Sequence, residues 1–112
     1  MQPVFLTIEE ICEIHNDQIT RYGGKPGIRD ENMLRSAISM TSIVYNGVFL
    51  NRSIFEIAAA YLFHIVCNHP FIDGNKRTGL VAALVFLDFN GYDLHCSGEV
   101  LEEMVIGVAR GT

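Results

Sequence analysis

The chain has 112 residues, 49% of them apolar, and a mean hydropathy of +0.24, which suits one domain with a core of its own. Its formal net charge is −5 and its pI is near 5.2, so a protein that grips a nucleic-acid backbone with a basic face is not expected. No apolar run approaches the roughly 20 residues that span a bilayer, and no membrane partner is expected either.

Thr7-Ile8-Glu9-Glu10 has the form of a capping box, and Ile8, Ile11, Cys12, His15 and Ile19 follow at helical spacing. The pattern predicts a first helix from Ile8 to Arg21. Tyr22-Gly23-Gly24-Lys25-Pro26-Gly27 then forces a shaped turn. Asp30 is the expected N-cap of a second helix over Glu31 to Met40, with Met33, Leu34, Ala37 and Ile38 as its apolar face. Between Ser42 and Arg52 two readings stay open. Asn46-Gly47 within β-prone residues signals a short hairpin flap, and an apolar loop closing the core fits equally well.

Ser53-Ile54-Phe55-Glu56 is a second capping box. Its helix should run to Asn68, and another from Asn75 to the Asn90-Gly91 stop. Within them Ile54 to Cys67 and Leu80 to Phe89 are apolar nearly all round, as helices in the middle of a domain are. Tyr92 to Cys96 reads as a connector, and Ser97 caps a last helix over Glu99 to Ala109. The start Met1-Gln2-Pro3-Val4 lacks signal-peptide form. Cys12, Cys67 and Cys96, without a CxxC pair, read as free thiols of a cytoplasmic protein. The expected fold is a compact all-α bundle around a central helix-loop-helix.

That central loop, His69 to Gly74, carries the chain's densest polar chemistry. A helix starting at Asn75 leaves the N–H groups of Gly74, Asn75 and Lys76 without helical acceptors, at the positive end of the helix dipole. Lys76 and Arg77 add charge, and Gly74 lets a phosphate come close to the backbone. Asp73 beside bound phosphate suits Mg²⁺, which takes one or two carboxylates plus phosphate oxygens. His69 has the acidity of a general base for a hydroxyl. Together these residues point to phosphoryl or nucleotidyl transfer.

Each residue has a plainer reading. His69 could end its helix, Asp73 could cap the next one, Lys76 and Arg77 could be a solvated pair, and Phe71 could be a core anchor. Cations in a helix's first turn oppose the dipole, however, and that misplacement favours a bound anion. His64, Cys67, His69 and Asp73 are zinc-ligand types, but no standard ligand pair repeats. His64 on an apolar helix reads as a satisfied core histidine.

His69, Phe71, Asp73, Gly74, Asn75 and Arg77 fill the pattern HxFx[DE]GNxR, which resembles the signature of the Fic/Doc (Fido) family. The Asn-Lys-Arg ending is similar to that of the death-on-curing (Doc) toxins, where the adenylylating branch has Asn-Gly-Arg. So are Arg21-Tyr22-Gly23-Gly24-Lys25-Pro26-Gly27, the Asn75 to Thr78 helix start, Phe86-Leu87 with Asn90-Gly91, and Val105-Ile106-Gly107. The resemblance implies a Fido-type helical bundle, a single domain over 1–112, that uses Mg²⁺ and ATP to modify a protein hydroxyl. By position it implies His69 as base and Asp73 as the Mg²⁺ ligand. Gly74, Asn75, Lys76 and Arg77 would hold the phosphates, and Lys76 and Arg77 would join His69 in the catalytic set. Lys76 in place of glycine goes with a reversed ATP, and so with γ-phosphoryl transfer to a translation elongation factor by a toxin. Adenylylation, as Asp73-Gly74-Asn75 suggests, is the alternative, and a weakly catalytic partner-binding module the third reading.

Three departures stand out. Cys67 replaces a Doc arginine, Gly74 replaces a Doc alanine, and Arg110-Gly111-Thr112 ends where Doc-like sequences continue into one more helix. No [ST]xxxE[GN] inhibitory sequence is found, so the resemblance implies a separate antitoxin that lays an amphipathic segment in a groove.

Overall fold

A computed structural model describes residues 2–92. It has four helices, α1 (Ile8–Tyr22), α2 (Glu31–Ser39), α3 (Ile54–Asn68) and α4 (Asn75–Phe89), and one small hairpin, β1 (Val44–Tyr45) with β2 (Val48–Phe49). The expected connector beyond Tyr92, Cys96 and the helix over Glu99 to Ala109 lie outside the described residues.

The helix starts follow their caps. Thr7 Oγ1 accepts the Glu10 N–H at 3.1 Å, and the Glu10 carboxylate accepts the Thr7 N–H at 2.8 Å, which completes the capping box. Asp30 accepts from the Met33 N–H and starts α2. At α3 the box is only half made. Ser53 accepts from Glu56 N–H, but the Glu56 carboxylate reaches one residue further back and takes the Arg52 N–H at 2.6 Å. Each such cap contributes about 1 kcal/mol.

Of the two readings for 42–52, the hairpin forms. Asn46 and Gly47 both have positive φ, at 52° and 75°, as a two-residue turn between right-twisted strands requires. Val44 pairs with Phe49 and Tyr45 with Val48. The hairpin lies on the surface, with Val44, Tyr45 and Val48 exposed, and Phe49 anchors it against Phe5.

The core is built on α3 and α4, which form the most extensive helix pair. Ile57, Tyr61 and Ile65 of α3 meet Ala82 and Phe86 of α4, with Ile11 of α1 and Leu34 of α2 closing the sides. Gly79 lets the pair come together: a Cβ there would stand 3.3 Å from the Leu62 carbonyl oxygen. The buried Tyr61 hydroxyl accepts the Leu6 N–H at 2.9 Å, so its polar end is satisfied.

The two central helices are not buried on every face. Phe55, Ala59, Phe63 and Cys67 recur every four residues along α3 and are exposed, as is Phe89 of α4. Apolar periodicity shows that a helix can be buried all round. How much is covered depends on how many neighbours pack on it, and α1 and α2 each cover one side of the pair.

Candidate active site

The loop between α3 and α4 starts at His69, which takes the left-handed conformation (φ 51°, ψ 52°) and ends α3 through its N–H to the Ile65 carbonyl. That conformation is costly for a side-chain-bearing residue and is held from outside. Arg29 donates from Nε to the His69 carbonyl at 2.6 Å and from Nη2 to the Asn68 carbonyl at 2.9 Å. These are the unpaired carbonyls at a helix end, and the guanidinium satisfies them where the dipole is negative.

The segment from Gly23 to Asp30 runs alongside the loop. The Arg29 and Asp30 N–H groups donate to the Pro70 carbonyl, the Ile72 N–H donates to Gly27, and Ile28 bridges Phe71. Phe71 is buried and stacks on the buried His15 ring of α1, centroids 3.9 Å apart and planes within 6°. His15 Nε2 lies 2.8 Å from the Asp73 carbonyl oxygen. A carbonyl can only accept, so Nε2 carries the proton and donates.

The Asp73 carboxylate is exposed, and two backbone N–H groups hold it, that of Lys25 at 3.1 Å and that of Gly74 at 2.9 Å. These two bonds, Lys25 first, keep its acidity strong and its pKa below the ordinary carboxylate value, and the charges of Arg77 and Lys25 add to the effect. Asp73 does not cap α4. That helix starts from Gly74 (φ 76°) with no side-chain cap. The first intrahelical bond there runs from the Thr78 N–H to Gly74 O, so the Asn75, Lys76 and Arg77 N–H groups stand open at the positive end of α4, whereas the Gly74 N–H, expected among the open ones, is taken by the Asp73 carboxylate. Lys76 and Arg77 are exposed at this end, with the Arg77 guanidinium 4.9 Å above the exposed Tyr22 ring.

The Asn75 side chain turns inward and is buried. Its oxygen accepts the Phe71 N–H at 2.9 Å, and its nitrogen donates to the Phe71 carbonyl at 2.8 Å. The same nitrogen lies 3.2 Å from His69 Nδ1. With the amide oriented by Phe71, Nδ1 is the acceptor, and the neutral His69 ring carries its proton on Nε2. The ring's one free lone pair is then on Nδ1, so a proton can be accepted only where the Asn75 contact yields.

Among the described residues no three His, Cys, Asp or Glu side chains come together as a metal cluster. A cation at this loop would have Asp73 as its one protein carboxylate, already ionised and held. That donor set fits Mg²⁺ shared with phosphate oxygens. His64 is elsewhere. It lines a shallow groove of about 350 Å³ on α3 with Asn51, Glu56 and Phe63, and burial pushes its pKa down. Cys12 and Cys67 are free thiols.

The loop thus brings together His69, Asp73 and the start of α4, with Lys76 and Arg77 on the rim. Sequence reading missed the roles of His15, Lys25 and Arg29. Helical spacing places His15 with Ile8, Ile11, Cys12 and Ile19 on one face of α1. A polar ring in a helix's buried stripe was the available signal, and nothing local named its partner.

A mostly helical fold with one small hairpin, which keeps its polar chemistry on the turn between two central helices, defines the class of this molecule. Residues 5–87 match the Fic/DOC family, and the chain belongs to that family. It is 36% identical over 105 residues to Protein kinase doc of Escherichia phage P1, a match covering 92% of this chain and 80% of that protein. It is 35% identical over 79 residues to Toxin Doc of Mycolicibacterium smegmatis, covering 70% of this chain and 61% of that protein.

Proposed function

We propose that this domain is a Doc-like toxin that transfers the γ-phosphoryl group of ATP to a protein hydroxyl, with Mg²⁺ as cofactor and a translation elongation factor as the class of target. One observation carries the reading: α4 begins with three open N–H groups beside a carboxylate that two backbone bonds keep ionised and in place. The name of the phage relative, a protein kinase, supports phosphoryl over adenylyl transfer.

In this reading the open N–H groups of Asn75, Lys76 and Arg77 receive phosphate oxygens, and the side chains of Lys76 and Arg77 neutralise charge at the rim. Asp73 supplies the one carboxylate for Mg²⁺, which when bound would draw charge from the phosphate oxygens. His69 takes the proton of the attacking hydroxyl, and the Asn75 contact at Nδ1 gives way as it does so. Lys76 occupies the space beside the helix start and so favours the orientation in which the γ-phosphoryl faces His69. A separate antitoxin with an amphipathic segment restrains the activity.

The test is a bacterial lysate with Mg²⁺ and ATP labelled at the α or the γ phosphate, with His69→Ala as blank. A His69-dependent band in the γ arm alone is expected. A band in the α arm alone would make the protein an adenylyltransferase. A band in neither would favour a partner-binding module.

A further inference from the structure

The Asp73–Gly74 peptide has two orientations open to it, and one side chain chooses between them. A trans peptide puts its carbonyl oxygen and its N–H on opposite sides. Here the Asp73 carbonyl points to His15 Nε2 at 2.8 Å, and the Gly74 N–H points to the Asp73 carboxylate at 2.9 Å. Rotating this peptide by half a turn would change the sign of φ at residue 74. Most residues resist that change, but glycine takes either sign at little cost. Gly74 has φ 76°, so its backbone alone does not fix the peptide. The rotated form would set the carbonyl oxygen against the Asp73 carboxylate, beside the open N–H groups of α4. That places partial negative charge where an anion should bind.

His15 is built to prevent this. It is 2% exposed, so its hydrogen bond is shielded from water. Its ring is clamped against Phe71, which fixes its plane. It projects from the third turn of α1, a rigid element with a complete capping box. Ile19, one turn further on, packs its Cδ1 within 3.2 Å of where a Gly74 Cβ would stand, and so supports the same peptide from beneath.

We propose that His15 is the positioning residue of the active loop: it holds the Asp73–Gly74 peptide in the orientation that keeps the carbonyl out of the anion site and the carboxylate on the Gly74 N–H. Its effect on ligand binding rests on the phosphate-site reading above. Its effect on the peptide does not.

The experiment uses ¹⁵N-labelled full chain and the variants His15→Phe, which keeps the stack and loses the donor, and His15→Gln, which keeps a donor. In the wild-type protein the His15 ring should carry its proton on Nε2, seen in the long-range ¹H–¹⁵N spectrum of the imidazole. In His15→Phe the Gly74 amide signal should shift or split, and Mg-ATP should bind about tenfold more weakly by calorimetry, the equivalent of one neutral hydrogen bond. His15→Gln should move both readouts back toward wild type, a rescue that a simple loss of packing would not give. A ring that carries no proton on Nε2 in the wild-type protein overturns the proposal without any variant. So does an unmoved Gly74 signal in a His15→Phe variant of equal helix content. Should Gly74 respond as expected while Mg-ATP binds no form of the protein, the positioning role stands and the phosphate-site reading fails.

Discussion

Asp73 is restrained from both sides of the chain. Its carboxylate sits between the N–H of Lys25 and that of Gly74, and its carbonyl sits on His15. This leaves Gly24 no freedom. Gly24 has φ 118°, and a Cβ there would stand 2.8 Å from Asp73 Oδ2 and 3.0 Å from Ile19 Cδ1. Gly24→Ala is expected to destabilise the fold by about 1–3 kcal/mol through backbone strain, measured by urea unfolding. It should also push the carboxylate off its Lys25 bond and weaken Mg²⁺-dependent ATP binding more than ATP binding alone. The same reasoning bears on Gly74. Its left-handed φ and the nearness of Ile19 give glycine a backbone reason to be there, separate from any choice of nucleotide chemistry. Asn75, whose place at the start of α4 suggests a ligand-binding amide, spends its side chain on Phe71 and His69. Only its backbone N–H faces the open helix start.

Among the elements, α3 and α4 carry the core and α1 and the 23–30 segment carry the loop. Phe86 is the clearest test of the first part. It is fully buried in α4 and meets Tyr61 of α3 at 5.3 Å and Phe5 at 6.0 Å between ring centroids. Phe86→Ala is expected to cost about 3–5 kcal/mol of stability, with a midpoint shift in denaturant as the measure. A change under about 1 kcal/mol would mean that the α3–α4 seam is not the main core. The hairpin contributes less. With two residues per strand and one aromatic anchor, it stays on the surface and depends on the helices for its place. Arg29 links the two parts: it leaves its own segment to cap α3 at the residue where the loop begins.

At the scale of the whole molecule, the charge balance is acidic, with formal net charge −5, and Lys76 and Arg77 place two exposed cations side by side at the start of α4. No helix among the described residues is long and apolar enough to cross a membrane. Acid should weaken the fold through His64. Burial lowers its folded pKa below the unfolded value of about 6.5, so between those two values the unfolded chain binds the extra proton. Stability is therefore full above about pH 6.5 and declines as pH falls through the folded pKa. Thermal melts taken downward from pH 7.5 should show this decline, and His64→Gln should flatten it. An equal slope in the variant would assign the acid sensitivity to other groups. Asp73 adds a second loss at lower pH: its depressed pKa means stability present above about pH 3.9 and lost as pH falls through its folded value.

The four helices between Ile8 and Phe89, their starts and the residues of the loop are legible in the amino-acid sequence. Capping and periodicity are local properties, written within four residues of where they act, so Thr7, Asp30 and Ser53 each mark a helix start correctly. The open start of α4 was legible only as one of two readings, since Asp73 just before Gly74 could equally have capped the helix, and the structure turns its carboxylate to the Lys25 and Gly74 N–H groups instead. Local signals left the choice at 42–52 open, because hairpin formation depended on a surface that received Phe49. Only the tertiary structure decided what holds the loop. His15, Lys25 and Arg29 lie 39 to 58 residues from the groups they bond, and no spacing rule links positions so far apart. They meet because α1 packs against α4 and the glycine-rich turn folds back along the loop. That packing turns a string of reactive residue types into one fixed arrangement.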